Sequence, residues 1–206
     1  MSIHFTEASS FATIDSQIED DRQDLSPAQY EIIRQVIYRT GNLEYYSLLR
    51  FDENALQKGL DGLKKGLPII VDVPEIQVSI VPRLQKTFHN PVFCCATTGV
   101  EIDSSNTKAA FGLKTIARDR PEGIFIIGQD RETLTTLIKL IDNNAVNPSL
   151  VIATAPSLIE NNAAEYLNQA AVAAIYLDRP QGNATVASSI FNGLVNLAWR
   201  VNDYQS

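Results

Sequence analysis

The chain has 206 residues, a formal net charge of −7, 45% hydrophobic residues and 20% charged residues. That balance fills the core of one domain, or of one domain with appendages. The acidic total excludes a nucleic-acid footprint, which needs clustered Lys and Arg, but not an anionic ligand, because local donors decide such a site.

Residues 1–25 are polar and aperiodic, end in the acidic stretch IEDDRQD, and read as a flexible N-terminal leader to a single α/β domain over 26–206. The first residues lack a basic region followed by a long apolar run, so no signal peptide is expected. No apolar run approaches the length of a membrane span, so no membrane partner is expected. Cys94 and Cys95 are the two cysteines, adjacent in the apolar run PVFCCAT. Neighbours on a strand point to opposite faces, which argues against a disulfide between them. No metal-ligand spacing exists, so a metal-free, reducing, cytoplasmic setting is expected.

Ser26-Pro27-Ala28-Gln29 supplies an N-cap, a proline at the first helical position and a capping-box glutamine. Tyr30, Ile33 and Ile37 continue at helical spacing until Gly41 stops the helix. Tyr38 lies one turn before that stop and, by itself, reads as a core or cap-adjacent aromatic. A second helix is expected over 53–65, ended by Gly66. Beyond it, β-branched runs at 68–73, 91–96, 123–127, 149–153 and 171–177 alternate with helical segments near 106–118, 130–143, 160–169 and 183–199. The runs are apolar on both parities, the mark of strands covered on both faces. The expected fold is α/β: a mostly parallel sheet of five strands or slightly more, helices on both faces, and N-terminal helices appended.

Such sheets bind ligands outside the carboxyl ends of their strands. The rule selects Asp72, the Thr97-Thr98-Gly99 turn, Gly128-Gln129, Thr154 with Pro156, and Asp178-Arg179. GxGxxG, GxxxxGK[ST] and HExxH are absent, as are CxxC pairs and serine triads. His4, in the leader, and His89, ahead of a strand at the amino edge, both read as surface residues. Gly182-Asn183-Ala184-Thr185 opens a helix whose free N–H groups suit a carboxylate or phosphate, or form a simple turn and cap. Ser105 or Asn106 caps another helix, with Thr107 and Lys108 in its first turn, where a lysine opposes the helix dipole. Arg131 and Arg179 read either as ligand clamps or as solvated charges. Two helix starts with Lys108 and Arg179 on one edge point to a ligand bearing several carboxylates.

In these motifs the chain resembles the precorrin-8X methylmutase family, from about residue 20 to residue 198. Tyr38-Arg39-Thr40-Gly41-Asn42-Leu43-Glu44 matches a helix end of the form His-x-x-Gly-x-(Leu/Val)-Glu. GLKKGLPIIVDVPEI matches a strand segment with Asp72 at the family's aspartate. Asn106, Thr107 and Lys108 match Asn-Thr-Arg, with lysine for arginine. Gly128 begins a loop matching Gly-Asn-Ala-Pro-Thr-Ala-Leu, here GQDRETL. Arg179, Gly182, Asn183 and Asn192 match the opening of the last helix.

The resemblance implies a cytoplasmic homodimeric isomerase of cobalamin biosynthesis, within porphyrin metabolism, that needs no cofactor. It would move a methyl group between neighbouring carbons of ring C in a corrinoid, a tetrapyrrole rich in carboxylate arms. Asp72, Thr107, Lys108, Gly128, Gln129, Arg179, Gly182 and Asn183 would bind substrate, and Tyr38 stands where the family's proton-donating histidine belongs. Tyrosine ordinarily titrates roughly 3.5 units above histidine, about 5 kcal/mol less favourable for proton donation. Full loss of that amount would slow the step by about three to four decades. Two readings follow: an isomerase, or a tetrapyrrole-binding paralogue of weak or no activity. A paralogue binding an unrelated small anion is the third.

Overall fold

The computed structural model describes residues 5–18, 25–98, 107–156, 166–167 and 172–203. His4, Gly99, Ser105, Asn106 and, apart from 166–167, the helix expected over 160–169 lie outside them.

Six strands form one sheet, ordered β1-β6-β5-β4-β2-β3. They are β1 Leu49–Phe51, β2 Ile69–Val71, β3 Val92–Cys94, β4 Glu122–Ile127, β5 Asn147–Ala153 and β6 Ala174–Leu177. All neighbours are parallel except β1, which runs antiparallel to β6 with Leu49 opposite Leu177. Strand residues alternate between two cores. Ile69, Val71, Ile124, Ile126, Leu150, Ile152 and Ile175 face one side, while Ile70, Phe125, Ile127, Val151 and Ala174 face the other. This is the two-faced burial that the unbroken apolar runs imply.

The first face is covered by α1 Phe5–Gln17, α2 Pro27–Thr40, α4 Ala55–Lys64, α5 Pro74–Leu84 and α8 Ala184–Asp203. The second carries α6 Lys108–Asp119 and α7 Arg131–Asp142. A single turn, α3 Tyr45–Leu48, leads into β1. α8 is the central helix of its layer; its Val186, Ile190, Phe191, Leu194 and Val195 are wholly buried.

One element corrects the sequence reading and two add to it. Part of the expected leader is the helix α1, which with the residue after it buries Phe11, Ile14 and Ile18. Its docking is polar as well: Asp15 accepts from Arg34 at 3.1 Å, and the Arg34 guanidinium lies 4.5 Å above the Phe11 ring. α5 fills the connection between the second and third strands, with Ile76, Ile80 and Leu84 buried at four-residue spacing. β1 adds the antiparallel edge. α2 packs firmly in the layer on the sheet's first face: Ile32, Ile33 and Val36 have no exposed surface.

The expected caps of α2 are present. Ser26 Oγ accepts the Gln29 N–H at 3.3 Å, Gln29 Oε1 accepts the Ser26 N–H at 2.8 Å, and Gly41 closes the helix at φ 68°. A Cβ at Gly41 would meet nothing within 4 Å, so alanine there faces only left-handed backbone strain. Gly182 is the opposite case, since a Cβ would lie 1.9 Å from the Thr154 carbonyl oxygen. Gly41→Ala is therefore expected to cost about 1 kcal/mol and Gly182→Ala about 3 kcal/mol through overpacking. Urea denaturation of both variants checks this, and equal losses would contradict it.

Candidate active site at the carboxyl edge

The connection after β2 runs to α5 on one face, while that after the adjacent β4 runs to α7 on the other. Where neighbouring connections diverge in this way, a doubly wound sheet opens a crevice outside its carboxyl ends. Asp72 stands at that point, immediately beyond β2, with no exposed surface. One carboxylate oxygen accepts the Val73 N–H at 3.0 Å. The other accepts the N–H groups of Gly128, Gln129 and Asp130 at 3.1, 2.7 and 2.7 Å. Burial pushes the carboxyl above its ordinary value, and the backbone donors pull it back down. Its carbonyl oxygen also accepts the Ala96 N–H at 3.1 Å. The side chain read as a ligand contact is thus turned inward and engaged by the protein's own backbone.

The helix starts gathered on this edge are capped in the same manner. Asp130 Oδ1 accepts the Thr133 N–H of α7 at 2.6 Å and the Thr107 hydroxyl at 3.0 Å. Thr107 Oγ1 accepts the Ala110 N–H of α6 at 3.1 Å, while Glu132 Oε2 takes the Thr107 N–H at 2.7 Å. Asn183 Oδ1 accepts from Thr185 and Val186 at 2.9 and 3.1 Å, capping α8. Of the two readings of Gly182-Asn183, the structure displays the turn and cap. A Cβ at Gly128 would lie 2.7 Å from Ala187 Cβ, so this glycine serves close packing of the β4 end on α8.

What faces outward is cationic and amide-bearing: Lys108, Gln129, Arg131 and Arg179 are exposed. None of the three cations makes an ion pair among the described residues, whereas Asp178 is held by Arg50 at 2.6 Å. α2 ends at the same edge. The Tyr45 hydroxyl donates to the Gln181 carbonyl at 2.9 Å, and the Asp178 N–H donates to the Leu48 carbonyl at 3.0 Å. Tyr38, a turn earlier, is 37% exposed, with its ring centroid 5.1 Å from that of Phe11. It is therefore not a core aromatic, and its hydroxyl has no hydrogen-bond partner among the described residues. The links from Asp130 and Glu132 to Thr107 join residues more than twenty apart and carry no local sequence signal.

A groove of about 1140 Å³ lies at the opposite, amino edge, lined by Asp52, Glu53, Lys58, Lys65, Glu122 and Asn147 among others. It contains none of the residues selected from sequence. Among the described residues no cluster of His, Cys, Asp and Glu is arranged to hold a metal, and no helix is long and apolar enough to cross a membrane.

Fold and edge define an open, doubly wound α/β protein whose strand connections diverge beyond β2 and β4. Comparison with known proteins narrows this class. The Precorrin-8X methylmutase family matches residues 6–197. A cobalt-precorrin-8 methylmutase of Synechocystis is 30% identical, over 93% of this chain and 94% of its own. One from Methanocaldococcus jannaschii is 29% identical, over 81% and 79% respectively. The crystal structure of a Thermus thermophilus precorrin-8X methylmutase superposes with a TM-score of 0.81 at 24% identity, covering 95% of this chain and 98% of that one. The chain belongs to the precorrin-8X methylmutase family.

Cys94 and Cys95 lie under the edge at 3% and 0% exposure. Burial, followed by the Asp72 carboxylate, lifts the Cys95 thiol well above its ordinary value. Since the thiolate is the reacting form, a thiol reagent at pH 8 should label neither cysteine in the folded protein and both in denaturant. Rapid labelling of the native protein would contradict the burial.

Proposed function

We propose that this chain is a precorrin-8X methylmutase: an isomerase of cobalamin biosynthesis that moves a methyl group between neighbouring carbons of ring C in a corrinoid. The observation that carries the reading is the family match over residues 6–197, nearly the whole chain. Cobalt-precorrin-8 is the preferred substrate form, on the names of the curated relatives.

The reaction breaks one methyl–carbon bond and forms another on the adjacent ring carbon. Nothing is gained or lost, so the protein needs only to hold the macrocycle and draw electron density from it. Tyr38 takes the second task, its hydroxyl donating a hydrogen bond to a ring nitrogen. Support comes from its exposure on α2 and from the absence of any hydroxyl partner among the described residues. Lys108, Arg131 and Arg179 receive the carboxylate arms, while Gln129 and the turn at Gly182 and Asn183 border them. Thr107 and Gly128 act behind this surface, through the α6 cap and the packing of the β4 end.

The test is a visible-absorption titration with cobalt-precorrin-8, run beside Tyr38→His. The unaltered protein should bind with a spectral shift that weakens with salt and turn over slowly. Tyr38→His should be faster by up to about three decades, the reach of the ordinary difference in acidity. Binding without turnover, rescued in Tyr38→His, identifies a paralogue that kept the ligand and lost the acid. No spectral change in either protein sinks the reading.

The enzyme works in the cytoplasm as a homodimer. Leu43 at 41% exposure and Tyr38 at 37% are large apolar side chains left open beside the site, suited to a second subunit completing it. Sedimentation equilibrium at micromolar concentration should return twice the chain mass, and a strict monomer would defeat this part of the proposal.

A further inference from the structure

We infer that Asp72 is a positioning residue: its buried carboxylate sets the β4–α7 loop and, through Asp130 and Thr107, the start of α6, so that Gln129 and Lys108 are presented together to a ligand. The inference rests on the proposed function for what that ligand is, but not for the relay itself.

The geometry runs in one direction from Asp72. Its single oxygen gathers three consecutive N–H groups, those of Gly128, Gln129 and Asp130, at 2.7 to 3.1 Å. Three donors converging on one point fix the orientations of successive peptide planes, because each N–H must aim at the same oxygen. The last of those residues, Asp130, then turns its own carboxylate to the Thr107 hydroxyl at 3.0 Å and the Thr133 N–H at 2.6 Å. Thr107 in turn caps α6 through the Ala110 N–H at 3.1 Å. Glu132, in the first turn after the same loop, holds the Thr107 N–H at 2.7 Å. A chain of short bonds thus connects the end of β2 to the first residue of a helix that starts at Lys108. Charge-assisted bonds of this kind are roughly twice as strong as neutral ones.

A bond network at this place does more than stabilise. The point between β2 and β4 is where a sheet of this topology receives a ligand, and the Asp72 carboxylate already takes the backbone donors there. An incoming ligand carboxylate is therefore met by the rim that Asp72 organises: the exposed Gln129 amide and Lys108 ammonium. Small displacements of such groups weaken a ligand held by several simultaneous contacts.

The experiment uses Asp72→Asn and Asp130→Ala in the full chain, with amide hydrogen exchange and corrinoid titration on each. Asp72→Asn keeps the volume but removes the charge and directs an amide donor at backbone donors. It should lose protection at Gly128–Asp130 and also at Ala110, and its Kd for cobalt-precorrin-8 should rise about tenfold, equivalent to about 1.4 kcal/mol. Asp130→Ala should keep protection at Gly128 and Gln129, lose it at Thr133 and Ala110, and weaken binding similarly. If Asp72→Asn does not fold, Asp130→Ala decides alone. Unchanged exchange at Ala110 in the variants overturns the relay. Lost protection with unchanged affinity also overturns it, leaving Asp72 a stabilising residue only. If the unaltered chain binds no corrinoid, the proposed function fails while the exchange pattern still decides the relay.

Discussion

A carboxylate with no exposed surface sits where the strand connections part to opposite faces of the sheet, and four backbone N–H groups point at it. The rest of the carboxyl edge depends on that arrangement. Parallel strands end with unsatisfied backbone groups, and helix starts add four orphan N–H groups each. Several such ends converge within one crevice and would leave it strongly positive. Asp72 neutralises the centre and Asp130 and Glu132 the next two helix starts, while the uncharged Asn183 amide oxygen caps the last. A replacement at position 72 with no acceptor atom, such as alanine, would leave buried donors unpaired, each costing about 1–3 kcal/mol.

Under the proposed function, this arrangement limits how a polycarboxylate is recognised. Its arms cannot be drawn to bare helix starts, because the protein's own oxygens hold those positions. What remains is a rim of side chains, Lys108, Arg131 and Arg179, around an interior whose charge is already balanced. Flexible cations of that sort suit a large ligand whose arms splay in several directions, since each head group moves to its arm at little cost in fit. The net charge of −7 is no obstacle. Arg50 neutralises Asp178 directly beside Arg179, and Glu132 is tied to the Thr107 amide rather than turned to a ligand.

The parts of the fold legible in the sequence are those in which neighbouring residues carry the signal. The α2 caps, the five buried strands and the alternation of strand with helix are all local patterns. β1 was not legible, because three residues, Leu49-Arg50-Phe51, show no period and become a strand only by pairing with β6. α1 was obscured by its serines and threonines, although Phe11, Ile14 and Ile18 lie on one stripe; its docking depends on Arg34 and Tyr30, far along the chain. In α5 the Ile76–Ile80–Leu84 stripe was present, but Pro82 breaks the helical reading. The proline is tolerated in the last turn because the carbonyl it leaves unpaired belongs to Val78, on the solvent side. For the site, position on the edge was predictable from topology. Which side chains face inward was not, since Asp72 and Gln129 both lie just beyond strand ends and only the backbone N–H groups that converge on Asp72 mark it as the inward one.

Tyr38 shows how an element read as a leader bears on the chemistry. An exposed tyrosine on a helix ordinarily samples several rotamers, and a donor that wanders contributes little to a reaction needing one fixed direction. Here the ring leans on Phe11 at an interplanar angle of 52°, and Phe11 is itself covered by the Arg34 guanidinium. Arg34 is anchored by Asp15 of α1 and Glu31 of α2, and Glu31 by Arg200 of α8. The support of the Tyr38 ring thus runs through three helices to the central helix of the layer. Under the proposed function, the hydroxyl of Tyr38 is therefore presented from a ring held in place by Phe11 of α1.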